Sequence, residues 1–187
     1  GGPVVTPDHF LHGGSVEGPA GPAVVFDDDG YYMGAILAEL LARAGHQTVY
    51  VTPHAEVSRW THHTMEQSRI QARLIERGVA IHAHRTLAGR TSEALELACT
   101  FTGRRENIPC ATLIPVTSRL PVEDLWLALD ERRADWADAG ILSVTRIGDC
   151  LGPGTIAAAV HSGHRYAREF GETIDPDVAP FRREAIV

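Results

Sequence analysis

Apolar positions fall into two rhythms along the chain, one of strand type and one of helix type. "AVVFD", Ala23–Asp27, is a short apolar run of strand length. "MGAILAELLARAG" follows with Ile36, Leu37, Leu40 and Leu41 on one helical face and Gly45 as its stop. "QTVYVTP" predicts a second strand ending at Pro53, which completes a β-α-β unit. "THHTMEQSRIQARLIERG" predicts a helix with Met65, Ile70, Leu74 and Ile75 as its apolar positions and Gly78 as its end; "VAIHAH" predicts a third strand. From Thr86 to Ser118 the pattern changes. "RTLAG", "ALELACTF" and "CATLIPVTS" are short strands parted by the polar turns "GRTSE" and "TGRREN", which predicts a β-meander. Beyond it, "EDLWLALDERRADWADAG" predicts an exposed helix and "ILSVTRIGD" a strand. "GTIAAAVHSGHRYAREFG" predicts a helix entered through Pro153 and Gly154 and closed by Gly171.

This alternation predicts an α/β fold of Rossmann-like, NAD(P)-binding type, with a parallel sheet carrying helices on its faces and a small β-meander. Residues 1–22, rich in Gly and Pro, read as an irregular lead-in or linker, and the tail "ETIDPDVAPFRREAIV" reads as irregular. There are no internal repeats and no low-complexity segment.

The turn "DDDGYYMG" stands where a dinucleotide-binding fold carries GxGxxG. Counted back from the helix, Asp29 takes the place of the turn glycine and Tyr31 that of the glycine that admits the pyrophosphate. Only Gly34, the glycine of helix–strand packing, is kept. Tyr31 would fill the diphosphate space. Asp27, Asp28 and Asp29 would repel a dianion, a like-charge effect on the order of several kcal/mol near a surface. The second strand ends in Thr52 and Pro53, with neither the acid that binds a ribose nor an Arg for a 2′-phosphate. The turn therefore reads as a scaffold without a dinucleotide. Three consecutive acids point in different directions, and the reading is against a divalent cation there.

A second motif is "RIGDCLGPGTIAAAVHSGHRYARE". Gly148 and Asp149 end the predicted strand, and a helix begins at Thr155 and Ile156. An Asp at a strand end accepts hydrogen bonds from ribose or ribityl hydroxyls, and the helix start faces a phosphate. Gly148, Asp149, Thr155 and Ile156 are the candidate nucleotide-binding residues. The alternative, that Asp149 only caps its turn, stays equally open.

Composition narrows the function classes. The 187-residue chain has a formal net charge of −7, which argues against a nucleic-acid partner. No apolar run approaches a membrane span, and the N-terminus, which lacks an initiator Met, is not a signal peptide. A fragment or processed product is expected, located in the cytoplasm. Cys99, Cys110 and Cys150 are widely spaced and form no CxxC pair, so they read as reduced thiols rather than metal ligands. The ten histidines form neither HExxH nor a zinc-type cluster. No GxSxG elbow is present. No catalytic residue and no metal site is assigned, and Trp60, Trp126 and Trp136 read as packing residues.

Together, "VVFDDDGYYMGAILAELLARAGH", "VTPHAEVSRWTHHTMEQSRIQARLIERGV", "IPCATLIPVTSRLP", "RIGDCLGPGTIAAAVHSGHRYARE" and "PFRRE" resemble the C-terminal region of one flavoenzyme family. It is that of trimethylamine, dimethylamine and histamine dehydrogenases, iron–sulfur flavoproteins related to 2,4-dienoyl-CoA reductase and old yellow enzyme. The resemblance runs from Val4 onward. It implies a parent oxidoreductase with a TIM barrel that binds FMN and holds a 4Fe–4S cluster, followed by a FAD-like domain with an NAD-like domain inserted in it. Residues 23–120 would then be the NAD-like domain. Residues 121–187 would be the segment returning to the FAD-like domain, which in trimethylamine dehydrogenase holds ADP. The barrel, the cluster-binding cysteines and the FAD-like glycine loop have no counterpart here. The fragment itself is expected to carry no cofactor and to play a mainly architectural role. Its expected partners are the upstream barrel and FAD-like domain, with a homodimer as a further assembly. The parent would pass electrons from FMN through the cluster to an external acceptor such as an electron-transfer flavoprotein. A stand-alone ADP- or NAD-binding module and a protein–protein interaction domain are the alternatives.

Overall fold

A computed structural model describes residues 3–15 and 21–171. The chain divides into two compact units, residues 1–118 and 119–187.

In the first unit, four strands form a parallel sheet in the order β3-β2-β1-β7: β1 Ala23–Asp27, β2 Thr48–Val51, β3 Ala80–His82 and β7 Thr112–Val116. β1 is buried along its whole length, as a central parallel strand covered on both faces must be. Alternation along the strands sorts the core into two layers. Ala23, Val25, Tyr50, Ile114 and Val116 pack with Leu37, Ala38 and Leu41 of helix α2 (Tyr32–Arg43) and with Ile70 and Leu74 of helix α3 (Gln67–Glu76). Val24, Phe26, Val49, Val51 and Leu113 face the other way, onto Leu95 and Leu97. Those two leucines belong to a three-stranded antiparallel sheet of β4 Arg85–Arg90, β5 Ala94–Cys99 and β6 Arg105–Pro109. The unit is therefore helix, parallel sheet and antiparallel sheet in three layers.

Several elements differ from expectation. Helices cover one face of the parallel sheet, and the meander, rather than further helices, covers the other. "CATLIPVTS" was expected in the meander but supplies β7, the fourth parallel strand. The third meander strand is β6, within and beyond the segment expected to be a polar turn. β6 alternates too weakly in polarity to stand out in sequence, since only Ile108 of it packs on the core. The described part of the lead-in carries regular structure: helix α1 spans Pro7–Leu11, and Val4 bridges Leu113 in parallel fashion. The helix expected from Thr61 starts later, at Gln67, after a 3-10 turn at Arg59–Thr64.

The second unit contains helix α4 (Asp124–Glu131), 3-10 turns at Arg133–Asp135 and Gly148–Cys150, and helix α5 (Ile156–Glu169). The strand expected over Ile141–Ile147 does not form. The segment has no ladder partner and no regular secondary structure, and Leu142 is 98% exposed. A strand is a cooperative pairing, and an apolar run without a neighbour has nothing to bond with. No described residue from Arg119 to Gly171 is buried. The expected irregular tail, from Glu172 onward, lies outside the described residues.

Candidate functional site

β1 delivers Asp27 to the turn with a defined facing. Ala23 and Val25 point toward α2, so the two-residue period sends Asp27 the same way. Its carboxylate lies under the first turn of α2, where a Cβ built on Gly34 would stand 2.5 Å from Asp27 Cγ. Gly34 is thus the glycine of helix–strand packing, and what packs on it is a carboxylate. Asp27 Oδ1 accepts the Gly30 amide at 2.9 Å. Tyr50 lies across from Val25 in the parallel register and on the same face. Its long side chain reaches one pleat further and donates its hydroxyl to Asp27 Oδ2. Both residues are fully buried.

Burial raises the Asp27 carboxyl above its ordinary value of 3.8, against the hydrogen bonds from Tyr50 and Gly30 that favour the charged form. Burial, and then the adjacent Asp27 charge, push the Tyr50 hydroxyl well above the ordinary tyrosine range. Tyr50 is therefore a fixed donor. Ser58, buried in the left-handed region at φ 49°, favours the ionised Tyr50 only weakly, and its Oγ has no partner of ordinary hydrogen-bond geometry.

The turn is closed on its outer side as well. Gly30 is buried, adopts φ +68°, and lies against His54: a Cβ there would be 3.0 Å from the ring. Its carbonyl accepts the Trp60 amide at 3.0 Å. Arg59 stacks on Trp60 with its guanidinium carbon 4.4 Å from the ring centre and reaches His54 Nδ1 at 3.3 Å. Trp60 is 40% exposed and so forms a rim rather than a core contact. Asp28 and Asp29, expected to repel a phosphate, point into solvent. Thr52 is buried, and its carbonyl accepts the Arg85 amide.

Gly148 and Asp149 of the second candidate site lie in a 3-10 turn rather than at a strand end, and Thr155 and Ile156 stand at the start of α5. Gly148 (φ +61°) donates its amide to Ser162 Oγ at 3.0 Å. Asp149 Oδ1 accepts the Gly154 amide at 3.4 Å, and Thr155 caps α5 through the Ala158 amide at 3.3 Å. Ile156 is 85% exposed. Asp149 therefore takes a turn-capping contact, through an oxygen that a ribose hydroxyl could also use. Replacing Thr155 by alanine should destabilise α5 by about 1 kcal/mol, the usual worth of an N-cap. Faster hydrogen exchange at Ala158 would register the loss; unchanged exchange would deny the cap its role.

The chain matches the OYE-like second alpha/beta domain over residues 5–106. It belongs to that family. It is 30% identical to dimethylamine dehydrogenase of Hyphomicrobium sp. (strain x) in an alignment covering 97% of this chain and 27% of that protein. Histamine dehydrogenase from Rhizobium sp. 4-9 superposes with a TM-score of 0.86 at 42% identity, over 98% of this chain and 28% of its own. The 6-hydroxypseudooxynicotine amine oxidase of Pseudomonas geniculata N1 superposes with a TM-score of 0.76 at 35% identity, over 90% and 24%. The chain thus spans about a quarter of the length of these relatives.

As an OYE-like second alpha/beta domain, the chain has its matched region running from the lead-in into β6, and the whole Asp27–Gly30–Gly34–Tyr50 network lies inside it. Sequence reasoning noticed Asp27 only as one of three acids and missed Tyr50. The available signal was strand parity, which gives Asp27 the facing of Ala23 and Val25; Tyr50 pairs with Val25, one pleat short of Asp27, and only the register of β1 with β2 brings it near. Cys99, Cys110 and Cys150 are free thiols. The Thr102 hydroxyl and the amides of its turn hold Cys99 down to about 7. Among the described residues no group of three His, Cys, Asp or Glu could hold a metal, and no helix is long and apolar enough to cross a membrane.

Proposed function

We propose that this chain is the nucleotide-domain portion of a larger oxidoreductase of amine dehydrogenase type, in which the first unit is a scaffold and the second completes a nucleotide site. The carrying observation is the superposition of nearly the whole chain on just 28% of histamine dehydrogenase. The second unit supports it. Leu120, Val122, Leu125 and Ile156 are each at least 75% exposed and no described residue of the unit is buried, so it needs further protein to cover it. The missing cover is the upstream FAD-like domain and barrel that the family resemblance implies. FMN and a 4Fe–4S cluster fit that parent, but not the residues here, where no described cluster offers metal ligands. Their chemistry, amine oxidation with electrons passed to an acceptor such as an electron-transfer flavoprotein, belongs to the rest of the polypeptide.

Within this chain, Gly148, Asp149, Thr155 and Ile156 form the half-site for an ADP-like ligand: Asp149 for ribose hydroxyls and the start of α5 for phosphate. Calorimetry with ADP on the full-length parent polypeptide tests it. Asp149→Asn should weaken binding about tenfold, the order of one hydrogen bond to a charged acceptor. Equal affinity for ADP in the variant would remove Asp149 from the site.

A further inference from the structure

We propose that Asp27 and Tyr50 close the glycine turn of the first unit from within, and that this buried pair, rather than the exposed Asp28 and Asp29 or the half-buried Tyr31, excludes dinucleotides. The inference rests on the scaffold reading above and names the device behind it. In a dinucleotide-binding turn, loop amides point outward to the pyrophosphate, and the backbone is open enough for the phosphate to approach. Three observations reverse that here. The Gly30 amide points inward, to Asp27 Oδ1 at 2.9 Å. The Gly30 carbonyl is taken by the Trp60 amide, and the His54 ring lies within 3.0 Å of where a Gly30 Cβ would be, so the outer face is covered. The carboxylate sits directly against Gly34 and is fixed by Tyr50, so it can neither swing out nor leave the amide free. Asp27 also places its own oxygens beneath the start of α2, where a phosphate would otherwise gain from the helix. The two exposed acids of the turn, Asp28 and Asp29, are solvated, and their repulsion is screened by salt. The buried pair is not.

Backbone amide spectra of the isotope-labelled 187-residue chain, titrated with NADH and separately with inorganic pyrophosphate, test this on four proteins. The wild type, Asp28→Asn/Asp29→Asn and Asp27→Asn should show no shifts at Gly30–Gly34 at millimolar ligand. The asparagine in the last keeps the shape and the Gly30 contact without the charge. Asp27→Gly/Tyr50→Phe, with its fold confirmed by the unchanged spectrum of β5 and β6, should bind at least about tenfold more tightly than the wild type. Shifts at Gly30–Gly34 in the wild type, or in the variant neutralised only outside, would overturn the proposal. So would a folded Asp27→Gly/Tyr50→Phe protein that stays blind to both ligands. In the wild type and the asparagine variants, shifts confined to Gly148–Ile156 bear on the second-unit site instead and leave Gly30–Gly34 unliganded, as the proposal requires; the same result in Asp27→Gly/Tyr50→Phe would overturn it. The two readings can therefore fail separately.

Discussion

Alanine at Gly34 is expected to destabilise the first unit by about 2–3 kcal/mol. The new Cβ would stand 2.5 Å from both Cγ and Oδ2 of Asp27 and 2.7 Å from its Cβ. Something must move, and Asp27 is held by Gly30 and Tyr50. Overpacking of this kind costs about 1–3 kcal/mol, and each hydrogen bond lost from a buried carboxylate adds roughly 1.5–3 kcal/mol. The better helix propensity of alanine offsets about 1 kcal/mol. Gly163 supplies the control. It lies inside α5, and nothing stands within 4 Å of its added Cβ. Gly163→Ala should therefore stabilise its helix by roughly 0.5–1 kcal/mol. Urea unfolding monitored separately in the two units would distinguish them; a neutral or stabilising Gly34→Ala would remove the close carboxylate packing from the account.

Tyr50→Phe should cost about 2 kcal/mol at neutral pH, because it leaves a buried Asp27 oxygen without its donor. Its companion is a pH experiment. The folded Asp27 carboxyl titrates above its unfolded value of 3.8. The folded state therefore holds that proton more tightly. The resulting stability is fully present below the unfolded value and is lost as pH rises through the folded one. Asp27→Asn cannot titrate, so its stability relative to the wild type should improve as pH rises from 3.8 and level off above the folded value. Tyr50 favours the charged carboxylate, so Tyr50→Phe should move the upper edge of this window to higher pH. Urea unfolding of the three proteins across this range measures both effects. A stability of Asp27→Asn relative to the wild type that falls with rising pH would mean that the turn stabilises the charged form, contrary to the burial of Asp27.

The two-residue and helical rhythms made the β-α-β unit legible. β1, α2, β2 and β3 form where their apolar positions place them, because both sheet layers and the helix face need those residues buried. The family was also legible, from segments such as "DDDGYYMG" and "VSRWT" rather than from any single residue. The Ile141–Ile147 strand was not, since local apolarity cannot report whether a partner strand is present. The assignment of "CATLIPVTS" failed for a related reason. Thr112–Val116 is as apolar as a meander strand, and only its parallel pairing with β1 places it at the sheet edge next to Val4.

The glycine turn marks the boundary between the two kinds of information. The loss of two glycines and the survival of Gly34 are written in the sequence. Which acid matters is not written there. Asp27, Asp28 and Asp29 have the same chemistry. Only the pleat of β1 turns the first inward and leaves the next two in water, and only the register with β2 brings Tyr50 to its carboxylate. Local pattern fixes which residues a strand contains. Strand parity gives the relative facing of side chains along β1, but which face is covered and which partner meets a side chain across the sheet depend on neighbours distant in the chain, and these the tertiary structure alone supplies.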